Sequence, residues 1–133
     1  MHSDRLQFLD HPRTSRQGGG TGLIFRDFLS VSQHAASEFQ SFEYSEWKIT
    51  SGTYRIHLII VYRPPYSEVH PITTSIFLTE FGDYLESTVL CTDQLLITGD
   101  FNLHVDVIDD SDAHSFHELL DSIGLDQRVR VPT

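Results

Sequence analysis

Residues 95–106 read LLITGDFNLHVD. The apolar run Leu95–Leu96–Ile97 predicts a short buried strand, closed by Gly99–Asp100. In an α/β sheet, ligands collect beyond the C-terminal ends of strands. A carboxylate at 100 and a carboxamide at 102, just off such an end, can reach one small polar centre. Asp100 can orient or deprotonate a water, or hold a hard cation through water. The Asn102 amide can donate to a phosphate oxygen, and Gly99 permits close backbone approach. The same four residues also suit an ordinary turn closed by Asx hydrogen bonds.

Upstream, Tyr54 to Tyr62 (YRIHLIIVY) is the strongest strand signal in the chain. It starts alternating and ends nearly all apolar, as an interior strand between two layers does. Pro64–Pro65 stops it. Tyr62 at its exit can bind a phosphate oxygen or serve as a core-edge aromatic. Arg63 can do the same or end the strand in solvent. Before the Ser51–Gly52 turn, Phe39, Phe42, Tyr44, Trp47 and Ile49 alternate with polar residues, predicting a half-buried antiparallel neighbour. Leu23, Ile24 and Phe25 predict a short strand. Residues 1–21 read as irregular and 30–37 as small and polar. Ile72, Ile76, Phe77, Phe81, Tyr84 and Leu85 have helical spacing across 72–87, although the threonines and Gly82 weaken propensity. A second helix is predicted at 113–122, capped by Ser111 or Asp112 and stopped by Gly124. The order β, β, β, α, β, α is an α/β or mixed-sheet pattern.

The length of 133 residues is that of one ordinary domain. Nine Lys/Arg against nineteen Asp/Glu leave a formal net charge of −10. Such a chain is a poor general polyanion binder, though an acidic pocket can still handle phosphate through a bound ion. The acidity gathers in the second half: between residues 99 and 126 stand Asp100, Asp106, Asp109, Asp110, Asp112, Glu118, Asp121 and Asp126, without one Lys or Arg. The single cysteine, Cys91, cannot form an intramolecular disulfide, and its default is a buried or half-buried thiol. The apolar run Leu58–Val61 is far short of a membrane span. No basic-then-apolar leader follows Met1, so the expected location is inside the cell, in nucleus or cytoplasm.

The remaining features are weaker. Gly18–Gly19–Gly20 lacks the Gly-Lys-Ser/Thr of a phosphate loop and precedes a strand, so it reads as a tight lead-in. Arg13 and Arg16 ahead of it can touch a polyanion or simply carry surface charge. His114 and His117, with Glu118, can share a helix face as metal scaffolding or as a solvated helix start. His104 and Asp106 extend the alternation of Asp100 and Asn102 and can line the same site or support it from behind.

Taken together, HPRTSRQGGGTGLIFRD (11–27), IIVYRPP (59–65), LLITGDFNLHVD (95–106) and FHELLDSIGLDQRVRVPT (116–133) resemble the endonuclease/exonuclease/phosphatase superfamily. More specifically they resemble the apurinic-like endonuclease domain of LINE-type (non-LTR) retrotransposons. The resemblance covers nearly the whole chain from about residue 5 and rests on order and spacing as well as wording. It implies a four-layer α/β sandwich and metal-dependent hydrolysis of DNA phosphodiesters, with Mg2+ or Mn2+ as cofactor. It also implies that Asp100 activates or orients the attacking water, that Asn102 helps hold the scissile phosphate, and that Tyr62 contacts that phosphate. Arg63 and Arg16 are further phosphate candidates.

The sequence also departs from the family pattern. The family carries an asparagine and a metal-binding glutamate well before the glycine run. Here seventeen residues precede Gly18, no glutamate occurs before Glu38, and Asp4 and Asp10 are no convincing replacement. The family's late Ser-Asp-His motif does not occur near Pro132–Thr133, where the sequence stops. The expectation is therefore a truncated domain over 1–133, a partial sandwich whose metal set is incomplete, with Asp100 holding an ion at most through water. DNA hydrolysis and DNA binding are then weak or absent, and exposed sheet edges favour self-association. Two alternatives stand beside it. One is an unusually short active phosphodiesterase that recruits His104, Asp106 or Glu43. The other is a non-enzymatic protein-interaction domain that reuses the fold.

Overall fold

A computed structural model describes residues 5–11, 21–88, 90, 93–103 and 111–125. In chain order the elements are β1 (Leu6–His11), β2 (Thr21–Arg26), β3 (Ser30–Glu38), β4 (Glu43–Ser51), β5 (Tyr54–Tyr62), α1 (Thr74–Thr88), β6 (Gln94–Asp100) and α2 (Ser111–Ile123). The strands form one compact unit and the helices another. This is a mixed α/β fold with a multi-strand sheet. No helix among the described residues is long and apolar enough to cross a membrane.

The main sheet has the order β3-β4-β5-β6. β4 and β5 pair antiparallel through the tight turn at Ser51–Tyr54, as the alternation on both sides predicts. β5 and β6 pair parallel, with Ile56 opposite Gln94 and Tyr62 opposite Asp100. Parallel neighbours require a crossover rather than a hairpin, and the segment carrying α1 supplies it. β5 is interior to the sheet, and Leu58, Ile59 and Val61 are all buried. Since successive side chains point to opposite faces, burial at 58, 59 and 61 means that both faces are covered.

Trp47 on β4 is fully buried, and its indole N–H donates to Ser45 Oγ at 2.8 Å. That bond meets the demand of the one polar atom on the largest core side chain. On the opposite face His57 Nε2 donates to Glu46 Oε1 at 2.5 Å, with both residues buried. The exposed His34 ring stands edge-on to His57 at 5.4 Å. The second sheet is the antiparallel pair β1-β2, and β2 lies against β4 and β5. Phe25 is buried there, whereas Phe8 and Ile24 share the other face and are exposed.

Two strands depart from the sequence reading. Residues 6–11 were expected to be irregular, but they pair along their whole length with β2. Residues 30–38 (SVSQHAASE) carry little apolar signal, yet pair with Glu43 to Thr50 of β4 around a bulge between Gln33 and Ala35. In both cases the neighbour supplies the ladder, and strand propensity follows that context more than composition. Phe39 and Phe42 lie outside β4, in the connection before it, where Phe39 N donates to Phe42 O at 2.7 Å and the rings stack at 4.7 Å.

In the helical unit, Thr73 caps α1 by accepting from Ile76 N at 3.3 Å. Phe77 and Phe81 stack at 5.2 Å, and Phe81 meets Phe116 of α2 at 6.1 Å. At Gly82, unfavourable for helix propensity, α2 approaches closely: a Cβ there would stand 3.2 Å from Leu119 Cδ1. α2 ends at Gly124, closed by bonds from Gly124 N to Asp121 O and from Leu125 N to Leu120 O.

Tyr44, stacked on Phe39 at 5.7 Å, gives a pH prediction. Burial, and then the Glu46 carboxylate, push its phenol above the usual range. The unfolded chain therefore loses this proton first, near pH 10, while the native state keeps it. The stabilisation is complete below that pH and is lost as pH rises through the native value. Urea unfolding from pH 8 to 11 should show stability falling above about pH 10, with a smaller fall in Tyr44→Phe. In Glu46→Gln the phenol should titrate closer to its usual range.

Candidate functional site

The parallel pairing of β5 and β6 brings two predicted site residues together. Tyr62 and Asp100 are register partners at the C-terminal end of the pair. Neighbouring strands lie about 4.8 Å apart, so the two side chains rise side by side from one face. Tyr62 is half-buried and Asp100 exposed. Arg63 N donates to Asp100 O at 2.8 Å, extending the ladder one step past the strand end.

Gly99 makes this approach possible. Its φ is +153°, and a Cβ there would lie 1.9 Å from Val61 O. No other residue fits without parting the strands, so the glycine that precedes Asp100 sets the separation of Asp100 from Tyr62. Arg63 is only 3 % exposed, and its Nη1 donates to Phe101 O at 3.4 Å. It ties the backbone after Asp100 to the end of β5. Asn102, two residues along the chain, is exposed with φ of +51°, a left-handed conformation that asparagine tolerates better than most residues.

Glu43 was named in the sequence only as a residue that a short active enzyme would recruit. The structure puts it directly opposite Tyr62 on β4, 5 % exposed, with Glu38 opposite it in turn on β3. Glu38, Glu43, Tyr62 and Asp100 thus form one row across four strands. The signal that locates Glu43 is the hairpin register: counting back from the Ser51–Tyr54 turn pairs 43 with 62.

Arg16, His104 and Asp106 lie outside the described residues, as do the triple glycine and Cys91. His114 and His117 both stand on α2, and His117 meets the Phe116 ring at 6.5 Å. Among the described residues no group of three or more His, Cys, Asp or Glu is arranged to hold a metal ion. The described residues therefore do not form a cage for Mg2+ or Mn2+. What Asp100 and Tyr62 offer is a carboxylate that can orient a water or accept its proton, beside a phenol that can donate to a phosphate oxygen.

Gly99→Ala tests this arrangement. The added methyl should cost about 3 kcal/mol or more through strain and strand separation. Thermal denaturation should show a drop in Tm larger than that of any surface substitution on β6.

No protein-family profile matches the chain, and no curated protein matches it. Among solved structures, the endonuclease domain of TRAS1, a telomere-specific non-LTR retrotransposon, aligns with a TM-score of 0.64 at 18 % identity. The match covers 96 % of this chain and 57 % of that one, so this chain spans a little over half the length of the structure it resembles. At that identity the likeness is one of fold.

Proposed function

We propose that residues 1–133 are the central part of a retroelement-derived endonuclease/exonuclease/phosphatase-type domain. The strand-end pair Tyr62 and Asp100 belongs to a centre built to hydrolyse DNA phosphodiesters. The observation that supports this most is the register of Tyr62 with Asp100 at the C-terminal end of a parallel pair, where α/β sheets place their ligands. In this reading Asp100 orients the attacking water and takes its proton. The Tyr62 hydroxyl donates to a non-bridging phosphate oxygen, and the Asn102 amide keeps the phosphate-holding role that its motif implies. Buried Arg63 acts through the backbone, holding the carbonyl of Phe101, rather than as a free phosphate ligand.

The 133-residue chain by itself hydrolyses DNA weakly or not at all. These 133 residues include no counterpart to the early glutamate or to the Ser-Asp-His of the family. Its net charge of −10 opposes tight binding to a polyanion. The second reading, a short active phosphodiesterase, is favoured by one observation: Glu43 stands in register with Tyr62 and supplies a carboxylate to the same row.

A nicking assay on supercoiled plasmid, with Mg2+ or Mn2+ added, separates the two. The expected result is no cleavage above the level of Asp100→Ala. Cleavage that disappears in Asp100→Ala contradicts weak or absent hydrolysis. If it also disappears in Glu43→Gln, the short-enzyme reading is the right one.

A further inference from the structure

The buried bond between His57 and Glu46 leaves one ring nitrogen over. His57 is 4 % exposed and Glu46 8 %, and Glu46 Oε1 lies 2.5 Å from His57 Nε2. A carboxylate only accepts, so Nε2 carries the proton, and the lone pair of the neutral ring falls to Nδ1. That Nδ1 is buried and has no hydrogen-bond partner. An unmet polar atom in the interior is costly unless something else takes it up.

A second imidazole stands beside it. His34 is the extra residue of the β3 bulge, between Gln33 and Ala35, and Ala35 is the register partner of Glu46. Bulges re-aim the side chains they carry. The His34 and His57 ring centroids are 5.4 Å apart, with the planes at 77°. Two imidazoles on one tetrahedral ion have centroids about 5 Å apart, given metal–nitrogen bonds of about 2.1 Å. His34 is exposed, so its ring can turn a nitrogen toward a shared ion. Lys48, opposite His57 on β4, is exposed too, and its ammonium stays in water.

Metal-ligating histidines donate their other ring N–H to a carboxylate, which fixes the tautomer and raises the basicity of the ligating nitrogen. Glu46 and His57 already have that relation. We infer that His57 Nδ1 and His34 bind one divalent late transition-metal ion of the Zn2+ type, with Glu46 orienting His57 and water completing the shell. Two direct ligands are fewer than a closed cage uses, in keeping with the lack of a three-residue group among the described residues. Imidazole suits Zn2+, Ni2+ and Cu2+, whereas Mg2+ takes oxygen ligands. His57 lies an odd number of residues before Tyr62 on β5, so the two point to opposite faces of the sheet. The site is therefore separate from Tyr62 and Asp100, and the inference holds whether or not a phosphodiester is cleaved.

The test titrates the full chain with Zn2+ and, separately, with Mg2+, and follows the histidine ring nitrogens by NMR in an isotope-labelled sample. Zn2+ should move His57 Nδ1 and one nitrogen of His34 together, saturably, and before any other histidine. Mg2+ should move neither. Glu46→Gln keeps an acceptor for Nε2 but removes the charge, and should weaken Zn2+ about 10–100-fold. His34→Ala removes a ligand outright and should weaken Zn2+ at least as much. Circular dichroism verifies folding, and if Glu46→Gln does not fold, the exposed His34→Ala decides alone. The inference is overturned if His57 Nδ1 stays unmoved in excess Zn2+, or if another pair such as His114 and His117 saturates first. An equal response to Mg2+, or an unchanged affinity in His34→Ala or in folded Glu46→Gln, overturns it as well.

Discussion

The close approach of β6 to β5 is the constraint on which the rest of this structure depends. Gly99 packs its Cα against the carbonyl of Val61, in a space that a methyl group cannot share. This contact fixes the parallel register, and the register fixes that Asp100 ends beside Tyr62 rather than on the opposite face. A slip of one residue would turn every side chain of β6 over, because the side-chain period of a strand is two. Arg63 then locks the arrangement from two directions, by its own N–H to Asp100 O and by its guanidinium to Phe101 O. Two side chains with chemical potential are thus held by backbone contacts that involve neither of them.

The buried polar groups show how a sheet of this composition is kept in one register. Trp47 with Ser45, and His57 with Glu46, are bonds on opposite faces of the β4-β5 hairpin. Each satisfies a buried ring N–H that would otherwise cost about 1–3 kcal/mol. Shifting β4 against β5 would break the His57–Glu46 bond, so it acts as a register pin as well as a stabilising contact. The Glu46 charge is felt as far as Tyr44 two residues away, whose phenol it helps to keep protonated.

Much of this was legible in the sequence, and the reasons differ from element to element. β5 announced itself through an apolar run that only an interior strand can bury. β6 was legible as a strand from Leu95–Ile97 closed by Gly99, but not as the buried one expected, because it stands last in the described sheet and Leu96 is exposed. α1 was readable because its aromatics recur at helical spacing despite Gly82, whose unfavourable propensity turns out to be the cost of a close approach by Leu119. β1 and β3 were not readable. Their side chains are mostly polar or exposed, and what makes them strands is a neighbour's backbone, which leaves no periodic trace. The pair Tyr62 and Asp100 could be named from motifs. Glu43 could be placed beside them only through hairpin register, a relation between two segments that a motif within one segment does not contain.

The central claim is that β5 and β6 lie parallel with Tyr62 opposite Asp100, so that a phenol and a carboxylate share one strand end. The most direct measurement is a set of nuclear Overhauser contacts between the two strands in an isotope-labelled sample. The account predicts cross-strand contacts pairing Leu58 with Leu96, Ile60 with Thr98 and Tyr62 with Asp100. Contacts shifted by one residue, or an antiparallel pattern, would place Asp100 away from Tyr62 and contradict it.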